Sequence, residues 1–421
     1  MKNNTQIRLI NLSSILLVLI PLTLISGPFI PDLFLVIIVI IFISITYTNK
    51  EYEIYKNKFL IFFIIFFLII LCVSIFSLNI SSVKSSLTYI RFAIFALAVS
   101  WMIDEKKFLL NNILYILLTI YLVLFIDTIY QYNFSKNLIG LSYENIQNFR
   151  ITSFFGKDEV LGSYVIRFLP LVIFLTILRF ESSIIKKRIV ILFLIITSFI
   201  IILFSGERTS LALFILLMLF LFFSSVNLRR VLIAPLFISL IAFILVISVS
   251  EKIKYRVIDQ TVNQIGLSKN SERLFLFSKI YEGHYLISYK MFKEKPFFGH
   301  GAKMFRFYCI KKENYIAPNA CTTHPHSFYA QFLAETGLVG FIFLLGSFFY
   351  LSFLFMKNFY YQVRYRKQFI TDAGLCLIAS YFITIFPILP SGNFFNNWLS
   401  IIIYYPMGFL IYIIKKNKFY V

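Results

Sequence analysis

The chain has 421 residues, of which 59% are hydrophobic and only 14% charged, and its mean hydropathy is +0.84. A water-soluble core cannot hold this much apolar surface, so the composition excludes a soluble globular protein and favours a chain that crosses a membrane many times. The formal net charge of +21 would suit a nucleic-acid-binding protein, but the positions of the charges argue against that class.

Apolar runs long enough to cross a bilayer follow one another along the chain. A bilayer core of about 30 Å requires about 17 to 25 predominantly apolar residues in a helix. We therefore predict an all-α polytopic membrane protein with about twelve transmembrane helices, joined by very short linkers around Gly27 and Gly206. The predicted spans are residues 13–27, 31–47, 59–78, 86–103, 108–130, 160–178, 188–204, 209–225, 231–250, 328–356, 368–389 and 397–414.

A long polar segment, residues 251–327, separates the ninth predicted span from the tenth. We predict three parts: spans one to nine within residues 1–250, a large helical loop over 251–327, and spans ten to twelve within 328–421. The sequence shows neither a repeat of 20 to 50 residues nor the paired broken spans of inverted-repeat transporters.

Basic residues concentrate in the loops on one side of the predicted bundle. With the N-terminus in the cytoplasm, the loops and tails on that side hold 20 of the 40 Lys and Arg residues, and the short outward loops hold five. The positive-inside rule therefore predicts cytoplasmic termini and an outward-facing segment 251–327. Since the first apolar run is full length and leads directly into the second, we interpret it as a span and not as a cleavable signal peptide.

The four cysteines divide between the spans and the outward loop. Cys72 and Cys376 fall inside predicted spans, where packing is the expected role. Cys309 and Cys321 both lie in the outward loop, and a disulfide between them is a hypothesis that an oxidising compartment favours. No Cys-x-x-Cys motif occurs, which argues against a thiolate zinc site.

Chemically versatile side chains concentrate in the segment 251–327. A run from Arg273 to Lys293 has apolar residues at helical spacing and predicts an amphipathic helix able to lie on the membrane surface. Pro296 and the Gly-His-Gly at residues 299–301 would end it. The segment holds 13 Lys and Arg residues and all histidines of the chain, which are His284, His300, His324 and His326.

The His-Pro-His sequence at the start of the tenth span is the best candidate for acid–base chemistry. Pro325 fixes the backbone between His324 and His326, and His326 or Ser327 would start the helix. A helix N-terminus and surrounding arginines both disfavour an imidazolium, and a neutral imidazole can accept a proton near neutral pH. His326 therefore suits a general base. A metal site formed by both histidines with His300 is an alternative without a carboxylate or Cys at ligand spacing.

Charged and small residues at the edges of spans form a second group of candidates. Arg208, beside Glu207, lies at the outer end of two abutting apolar runs, where a charge is costly and normally functional. The alternative is a wetted Glu207–Arg208 turn in which the arginine reaches toward the interface. Glu335 would lie about two turns inside the tenth span, and Gly337 and Gly340 would allow close helix packing.

A third group precedes the sixth span. Its charged residues would either contact a polar headgroup or form a solvated rim, and the pattern does not separate these interpretations. The members are Arg150, Lys157, Asp158 and Glu159.

Four motifs together carry a resemblance to one family. HPHSFYAQFLAETGLVG resembles the hallmark of the O-antigen ligase and O-antigen polymerase superfamily of bacterial envelope proteins, although Ser327 stands where many members have Asn. SGERTSLALFIL is similar to the arginine motif of that superfamily, and RITSFFGKDEVLGSYVIRFLPL to its segment after the fifth span. ERLFLFSKIYEGHYLISYKMFKEKPFFGHGAKMF is similar to its segment of Arg, helix and Pro-x-x-Gly-x-Gly. The resemblance covers about residues 148–345.

The resemblance implies an inverting, metal-independent glycosyl transfer, without a cofactor, on the outer face of the bacterial inner membrane. The donor would be a glycan on undecaprenyl diphosphate, and the acceptor an outer-leaflet molecule such as the lipid A core. By motif, His326 would deprotonate the acceptor hydroxyl, and Arg208 and Arg273 would hold the diphosphate. Further substrate-binding candidates are Arg150, Lys157, His300, Lys303 and His324.

Two alternatives remain open. Ligases and polymerases of the superfamily share these motifs, so a repeat-unit polymerase is the second interpretation. A glycolipid transporter or flippase without chemistry is the third. A transporter should depend on charged residues within its spans, of which Arg91 and Arg167 are the few present, and it should tolerate His326→Ala.

Overall fold

The computed structural model describes residues 3–142, 150–267, 278–317 and 320–421. The regular structure of these residues is helical, and strand-like pairing within them is limited to isolated bridges of Lys136 with Ser142 and of Ile370 with Tyr420. The predicted all-α class of a polytopic membrane protein is confirmed.

Among the described residues, ten helices are long and apolar enough to cross a membrane, and two shorter apolar helices, α9 and α16 below, accompany them. This is compatible with about twelve spans. The helices are α1 (Asn4–Thr23), α2 (Phe29–Thr48), α3 (Lys58–Phe76), α4 (Ile80–Leu87), α5 (Ile90–Glu105), α6 (Phe108–Phe134), α7 (Leu161–Arg179), α8 (Ile184–Ser205), α9 (Arg208–Ser224), α10 (Val226–Val249), α11 (Glu251–Lys254), α12 (Gln260–Gln264), α13 (Lys279–Glu294), α14 (Phe305–Cys309), α15 (Phe328–Tyr365), α16 (Asp372–Thr384) and α17 (Asn397–Lys415). Short 3-10 turns occur at Leu24–Ser26, Tyr52–Tyr55, Ser153–Phe155 and Lys312–Asn314, and a π-helical stretch at Tyr255–Asp259.

The two shortest predicted linkers are tight glycine turns. Gly27 has a φ of +107° and Gly206 a φ of +65°, values that residues with a Cβ rarely adopt. Gly206 also ends α8, so that α9 starts only two residues later. This turn is the reason that Glu207 and Arg208 stand together at the junction of two apolar helices.

Polar contacts define one end of the bundle and place both termini there. The Gln6 side chain donates to Asn49 at 2.9 Å, which joins the start of α1 to the end of α2. The Lys415 ammonium, at the end of α17, donates to Asp104, near the end of α5, at 2.8 Å. The topology rule predicts that this end is cytoplasmic.

The opposite end of the bundle gathers the segments that sequence motifs single out. Near the start of α7, the Tyr164 hydroxyl donates to the Pro21 carbonyl oxygen near the end of α1, at 2.8 Å. The Trp398 indole, at the start of α17, donates to the Leu24 carbonyl oxygen at 2.8 Å. The α8–α9 turn, the loop after α10 and the start of α15 also lie at this end.

The interior of the bundle is built around α7. Most side chains from Leu161 to Thr176 are buried, whereas α10 and α15 bury far fewer. Because lipid tails are as apolar as leucine, membrane helices associate through close packing and not through transfer from water. Gly408 of α17 shows this packing against α5, since a Cβ there would lie 2.4 Å from the Val99 Cβ.

The long loop docks onto a break in α15. Gly337 has a φ of +64°, which interrupts the helix, and a Cβ there would lie 2.4 Å from the backbone carbonyl carbon of Phe297. The Glu335 carboxylate accepts backbone N–H bonds from Lys303 and Phe305, each at 3.0 Å. Gly337 and Glu335 therefore hold the loop, because the Gly337 backbone and the Glu335 carboxylate face it. The sequence led us to expect helix packing here instead.

The amphipathic helix predicted before Pro296 corresponds in its described part to α13. His284, Ile287 and Met291 lie on one buried face, as their spacing indicates. Ile287 and Met291 pack with Phe305 of α14 in a small apolar cluster, so this face is covered by protein and not by the membrane surface.

Candidate active site

His326 lies in a strained turn directly before α15. Its φ of +53° falls in the left-handed region that favours glycine. The turn is held by Ser391, whose amide donates to the His326 carbonyl oxygen at 3.0 Å and whose hydroxyl accepts from the Phe328 amide at 2.8 Å. Ser327 caps the helix by accepting a bond from the Ala330 amide, which confirms the predicted helix start.

The imidazole of His326 belongs to a group of four packed rings. Its centroid lies 4.2 Å from that of His324, 5.3 Å from that of His284 and 5.6 Å from that of Tyr281. His284 is buried, and its Nδ1 lies 2.6 Å from the Ala320 carbonyl oxygen, a contact that requires a proton on Nδ1. His284 therefore supports the group from α13 with a defined tautomer.

Burial keeps these imidazoles neutral. Desolvation, and then the charge of His284, lower the pKa of His326 to about 4. Desolvation, and then the charge of His326, lower the pKa of His324 to about 3. At neutral pH His326 is thus in the form that accepts a proton. The neutral state matches the expectation from the sequence, but burial is a larger cause than the helix terminus or the arginines.

Glu207 points away from Arg208 and caps α7. Its carboxylate accepts bonds from the Gly162 amide at 2.6 Å, the Ser163 amide at 3.0 Å and the Ser210 hydroxyl at 2.9 Å. Burial raises the pKa of Glu207, and these bonds oppose the rise. Glu207 is a buried cap, which differs from a wetted Glu207–Arg208 turn.

Arg208 reaches toward the loop after α10. Its Nη1 donates to the Thr261 hydroxyl at 3.2 Å, and its Nη2 donates to the Gln264 amide oxygen at 2.6 Å. Both partners belong to α12 and are neutral. Because neither partner neutralises the guanidinium, its positive charge remains available to an anion.

Two further arginines lie beside Arg208. Arg256, which the sequence does not single out, is 8% exposed and donates from Nε to the Gly206 carbonyl oxygen at 3.2 Å. Burial, and then the charges of Arg150 and Arg208, lower the pKa of Arg256 to about 10. Arg150 is half-buried and ion-paired with Glu159, and its Nε has no hydrogen-bond partner in the described ranges. We call Arg150, Arg208 and Arg256 the arginine cluster. The repulsion between their charges raises the energy of the cluster; Glu159 and Glu207 offset part of that cost, and a bound anion would offset more of it.

Tyr281 joins the arginine cluster to the histidines. An electrostatic effect of Tyr281 on the pKa of Arg150 and on the pKa of Arg256, opposite to that of burial, places this side chain near both guanidinium groups. Its ring packs against His326, as described above. The structure therefore brings two predicted arginines, the predicted histidine and the unexpected Arg256 to one site.

The remaining predicted residues fall in different places. Lys157 is exposed in the turn before α7. The His300 Nε2 lies 3.0 Å from the Met291 carbonyl oxygen and 3.7 Å from the Glu294 carboxylate, so this histidine serves the packing of its own loop. Arg273 lies outside the described residues.

The three-histidine metal alternative finds no geometric support. His300 contacts its own loop, whereas His324 and His326 pack against each other. In the part of the chain that the structure describes, no three His, Cys, Asp or Glu side chains are placed to hold a metal ion.

The hypothesised disulfide between Cys309 and Cys321 is present. It joins α14 to the residues just before the His-Pro-His turn. The disulfide thus fixes the path of the chain between the loop and the ring group that contains His324.

Three residues of the site had only weak signals in the sequence. Tyr281 and His284 are one helical turn apart, and a histidine among apolar residues on the buried face of α13 was a usable signal. Arg256 is one basic residue among many in its loop, and no pattern distinguishes it.

The fold and the site define a polytopic helical membrane protein with buried arginines and neutral histidines at one end of the bundle. The family model described as O-antigen ligase matches residues 192–345, which include Arg208, Arg256 and His326. The resemblance is confirmed over this region, and the chain is O-antigen ligase-like. No curated protein matches the chain.

The family match bears on the activity and on the cellular location of the protein. It supports an activity of the O-antigen ligase or polymerase type in general. Together with the many apolar helices, it indicates a multi-pass protein of the bacterial inner membrane whose partners include lipid-linked glycan.

Proposed function

We propose that the protein is an inverting, metal-independent glycosyltransferase that moves a glycan from undecaprenyl diphosphate to an outer-leaflet acceptor such as the lipid A core. The observation that carries the proposal is the arginine cluster beside the neutral His326. Transfer from a diphosphate to a hydroxyl needs an anion-binding group and a base, and this site offers both.

The arginine cluster would bind the diphosphate. Its members come from the segment before α7, the α8–α9 turn and the loop after α10, so three separate elements converge on one anion. Guanidinium groups match phosphate oxygens with paired hydrogen bonds, and fixed charges in a partly dry site stabilise the negative charge that grows on the leaving diphosphate. Arginines in this role perform the electrostatic task that a divalent cation performs in other sites.

His326 would accept the proton of the acceptor hydroxyl while that oxygen attacks the anomeric carbon. The new C–O bond forms opposite the departing diphosphate, which leaves with the bonding electron pair, so one displacement inverts the configuration. The reaction leaves an imidazolium. The negative diphosphate bound nearby favours that cation and raises the pKa of His326 from its low value toward the range of efficient proton transfer.

A repeat-unit polymerase is the second candidate, since the family match supports both types of activity. It would use the same donor anion and the same base, and its acceptor would be a second lipid-linked glycan. The banding of extracted envelope glycan separates the two. Loss of a ligase leaves long chains on the lipid carrier, whereas loss of a polymerase leaves single repeat units.

The proposal is tested with the full-length protein in lipid nanodiscs, supplied with lipid-linked donor and acceptor. Transfer should occur in the presence of EDTA and should be lost in His326→Ala and Arg208→Ala, while both variants elute as folded protein. Transfer at the wild-type rate by either variant would contradict the proposal. Movement of glycolipid across the bilayer without bond formation would favour the transporter alternative.

A further inference from the structure

A second group of cations lies next to the ring group, at the docked loop. Lys303 and Arg306 belong to the segment that Glu335 holds against α15, and Arg306 lies in the first turn of α14. Lys303 has a φ of +62°, so its backbone is also held in the left-handed region. We call Lys303 and Arg306 the loop cation pair.

Covalent and hydrogen-bonded links hold Arg306, one member of the loop cation pair, near His324. Cys309, at the end of α14, is bonded to Cys321, and its sulfur lies 3.7 Å from the Thr322 carbonyl oxygen. The Thr322 hydroxyl in turn donates to the His324 carbonyl oxygen at 2.6 Å. The charge of Arg306, one turn before Cys309, contributes to the low pKa of His324, which agrees with this proximity.

At this place the Nε of Arg306 is buried and has no hydrogen-bond partner within the described ranges, whereas the buried imidazole of His324 has the Ser391 backbone as a hydrogen-bonding neighbour. Buried polar atoms are normally paired, and an unpaired one costs free energy, so the Nε of Arg306 indicates a bond to a ligand. When the His324 Nδ1 accepts from the Thr323 hydroxyl at 3.0 Å, the His324 Nε2 carries the proton and is a donor, as the Arg306 Nε is.

The half-buried ammonium of Lys303 adds a second cation to these donors. Burial, and then the charge of Arg306, lower the pKa of Lys303. Arg91 lies near this ammonium but is already paired with Asp32 at 3.1 Å. Among the described residues, the loop cation pair makes no carboxylate ion pair of its own, so its charge favours an anionic ligand.

The loop cation pair is separate from the arginine cluster. The charged groups that act most strongly on Lys303 and those that act on Arg256 have no member in common. The first set is Arg306, Glu335, Arg91 and Asp32, and the second is Arg150, Arg208, Tyr281 and Glu207. The ring group around His326 includes Tyr281, which belongs to the second set, and His324, on which the charge of Arg306 from the first set acts.

We propose that the loop cation pair, together with His324, binds a phosphate group on the sugars of the acceptor glycolipid. This inference rests on the proposed transferase function and specifies the class of its acceptor. His326 would then stand between two anions, the diphosphate of the donor at the arginine cluster and the phosphate of the acceptor at the loop cation pair. The acceptor hydroxyl would be held next to the base.

The position of the loop cation pair suits a glycolipid headgroup. The Ala302 amide, next to Lys303, lies 3.4 Å from the Ser74 hydroxyl near the end of α3. The loop cation pair thus lies at the boundary between an apolar helix and the polar loop, which is the depth at which the sugars of a membrane-anchored acceptor begin.

The test uses the full-length protein in nanodiscs of zwitterionic lipid, with a lipid-linked donor and two synthetic acceptor glycolipids that differ by one sugar phosphate. In K303Q/R306Q the KM for the phosphorylated acceptor should rise about tenfold or more, because a charge-assisted bond to each cation is lost. The KM for the donor should stay unchanged. For the unphosphorylated acceptor, variant and wild type should have equal KM. Lys312→Gln, an exposed lysine of the same loop, is the matched control and should change neither constant.

Several results would overturn the inference. An equal rise of KM for both acceptors would assign the loop cation pair to folding, and a raised donor KM would assign it to the donor. Equal KM of the wild type for both acceptors, or a rate that follows anionic bilayer lipid and not the acceptor phosphate, would also contradict it. Size-exclusion elution and the temperature of thermal unfolding check that K303Q/R306Q is folded.

Binding of each glycolipid without donor separates this inference from the proposed function. A wild type that transfers glycan but binds both glycolipids equally contradicts only the acceptor-phosphate site. A wild type that transfers to neither acceptor contradicts the proposed function, and the acceptor-phosphate site fails with it.

Discussion

The two ends of the helix bundle both carry many cations, but they hold them differently. At the end with the termini, basic side chains are largely exposed and several are paired with carboxylates: Lys415 and Lys416 contact Asp104, and Lys56 contacts Glu53. At the opposite end, the arginine cluster and the loop cation pair are buried or half-buried. Arg208 and Arg256 donate to neutral groups, and Arg150 is paired with Glu159.

This difference divides the net charge of +21 into two populations. Cations that set topology act during insertion and need only remain in water afterwards, so they stay exposed and cost little. Cations that are gathered and buried repel one another and lose hydration, and a ligand with negative charge offsets that cost. Burial, and not the number of charges, therefore separates a binding site from a topology signal.

The largest expected effect is that of His326→Ala. Removal of the base should lower kcat by about 10² to 10⁴-fold, the usual contribution of general base catalysis. Transfer rates at saturating donor and acceptor measure this. The matched control is Lys416→Gln at the other end of the bundle, which should keep the wild-type rate. If His326→Ala keeps the full rate, His326 is not the base, and the end of the bundle that holds it is not distinguished by its chemistry.

Arg256 gives the second prediction, because it was found only through its burial. In Arg256→Gln we expect kcat/KM to fall about 10² to 10³-fold, as for loss of one donor that stabilises a developing negative charge. Arg256→Lys keeps the charge but not the planar fork, so its rate should lie between those of the wild type and Arg256→Gln. Equal rates for the Lys and Gln variants would show that the planar guanidinium group, and not the charge alone, is required. Wild-type rates for both variants would exclude Arg256 from the site.

The pH dependence of transfer tests the burial of His326 directly. Since the base must be neutral and its pKa is lowered to about 4, kcat/KM should stay level as the pH falls through 6.5 and should decline only near pH 4. The acid limb of kcat should lie at higher pH, because the bound diphosphate raises the pKa of His326. Rate profiles from about pH 3 to about pH 8 at low and at saturating donor measure both limbs. A limb of kcat/KM at 6.5 would contradict a buried base.

The spans and part of the site could be predicted from the sequence because a few charged or polar residues stand out against long apolar runs. An apolar run of sufficient length has few alternatives to a membrane helix. Against that background Arg208 and Arg150 stand out at the edges of spans, and His326 stands out beside a proline at a helix start.

The rest of the site depends on how the long loop folds back onto the bundle. Arg256 and Arg306 are ordinary basic residues in a basic loop, and only the tertiary structure buries Arg256 and half-buries Arg306. Gly337 shows a related limit, since a Gly-x-x-Gly pattern fits close helix packing as well as a helix break. Periodicity within one element does not reveal which loop will press against it.

Gly337→Ala tests the docking of the loop onto α15, with an expected effect smaller than those at the site. An alanine would need a left-handed φ and would meet the Phe297 backbone, so we expect a destabilisation of about 1 to 3 kcal/mol and a several-fold lower transfer rate. Gly346→Ala is the matched control in the same helix, where no atom lies within 4 Å of the added Cβ. It should be neutral or slightly stabilising. Equal thermal unfolding temperatures of the two variants would contradict the docking role.

Lys415→Gln should have the smallest effect, and it tests the other side of the comparison. The Lys415 side chain is 54% exposed, and Asp104 keeps its contact with Lys416, so the loss should be well under about 1 kcal/mol and should shrink further in high salt. Thermal unfolding at low and high salt measures it, and transfer should be unchanged. A marked loss of transfer would mean that exposed, paired cations at this end also act on the reaction, and burial would then no longer distinguish topology from binding.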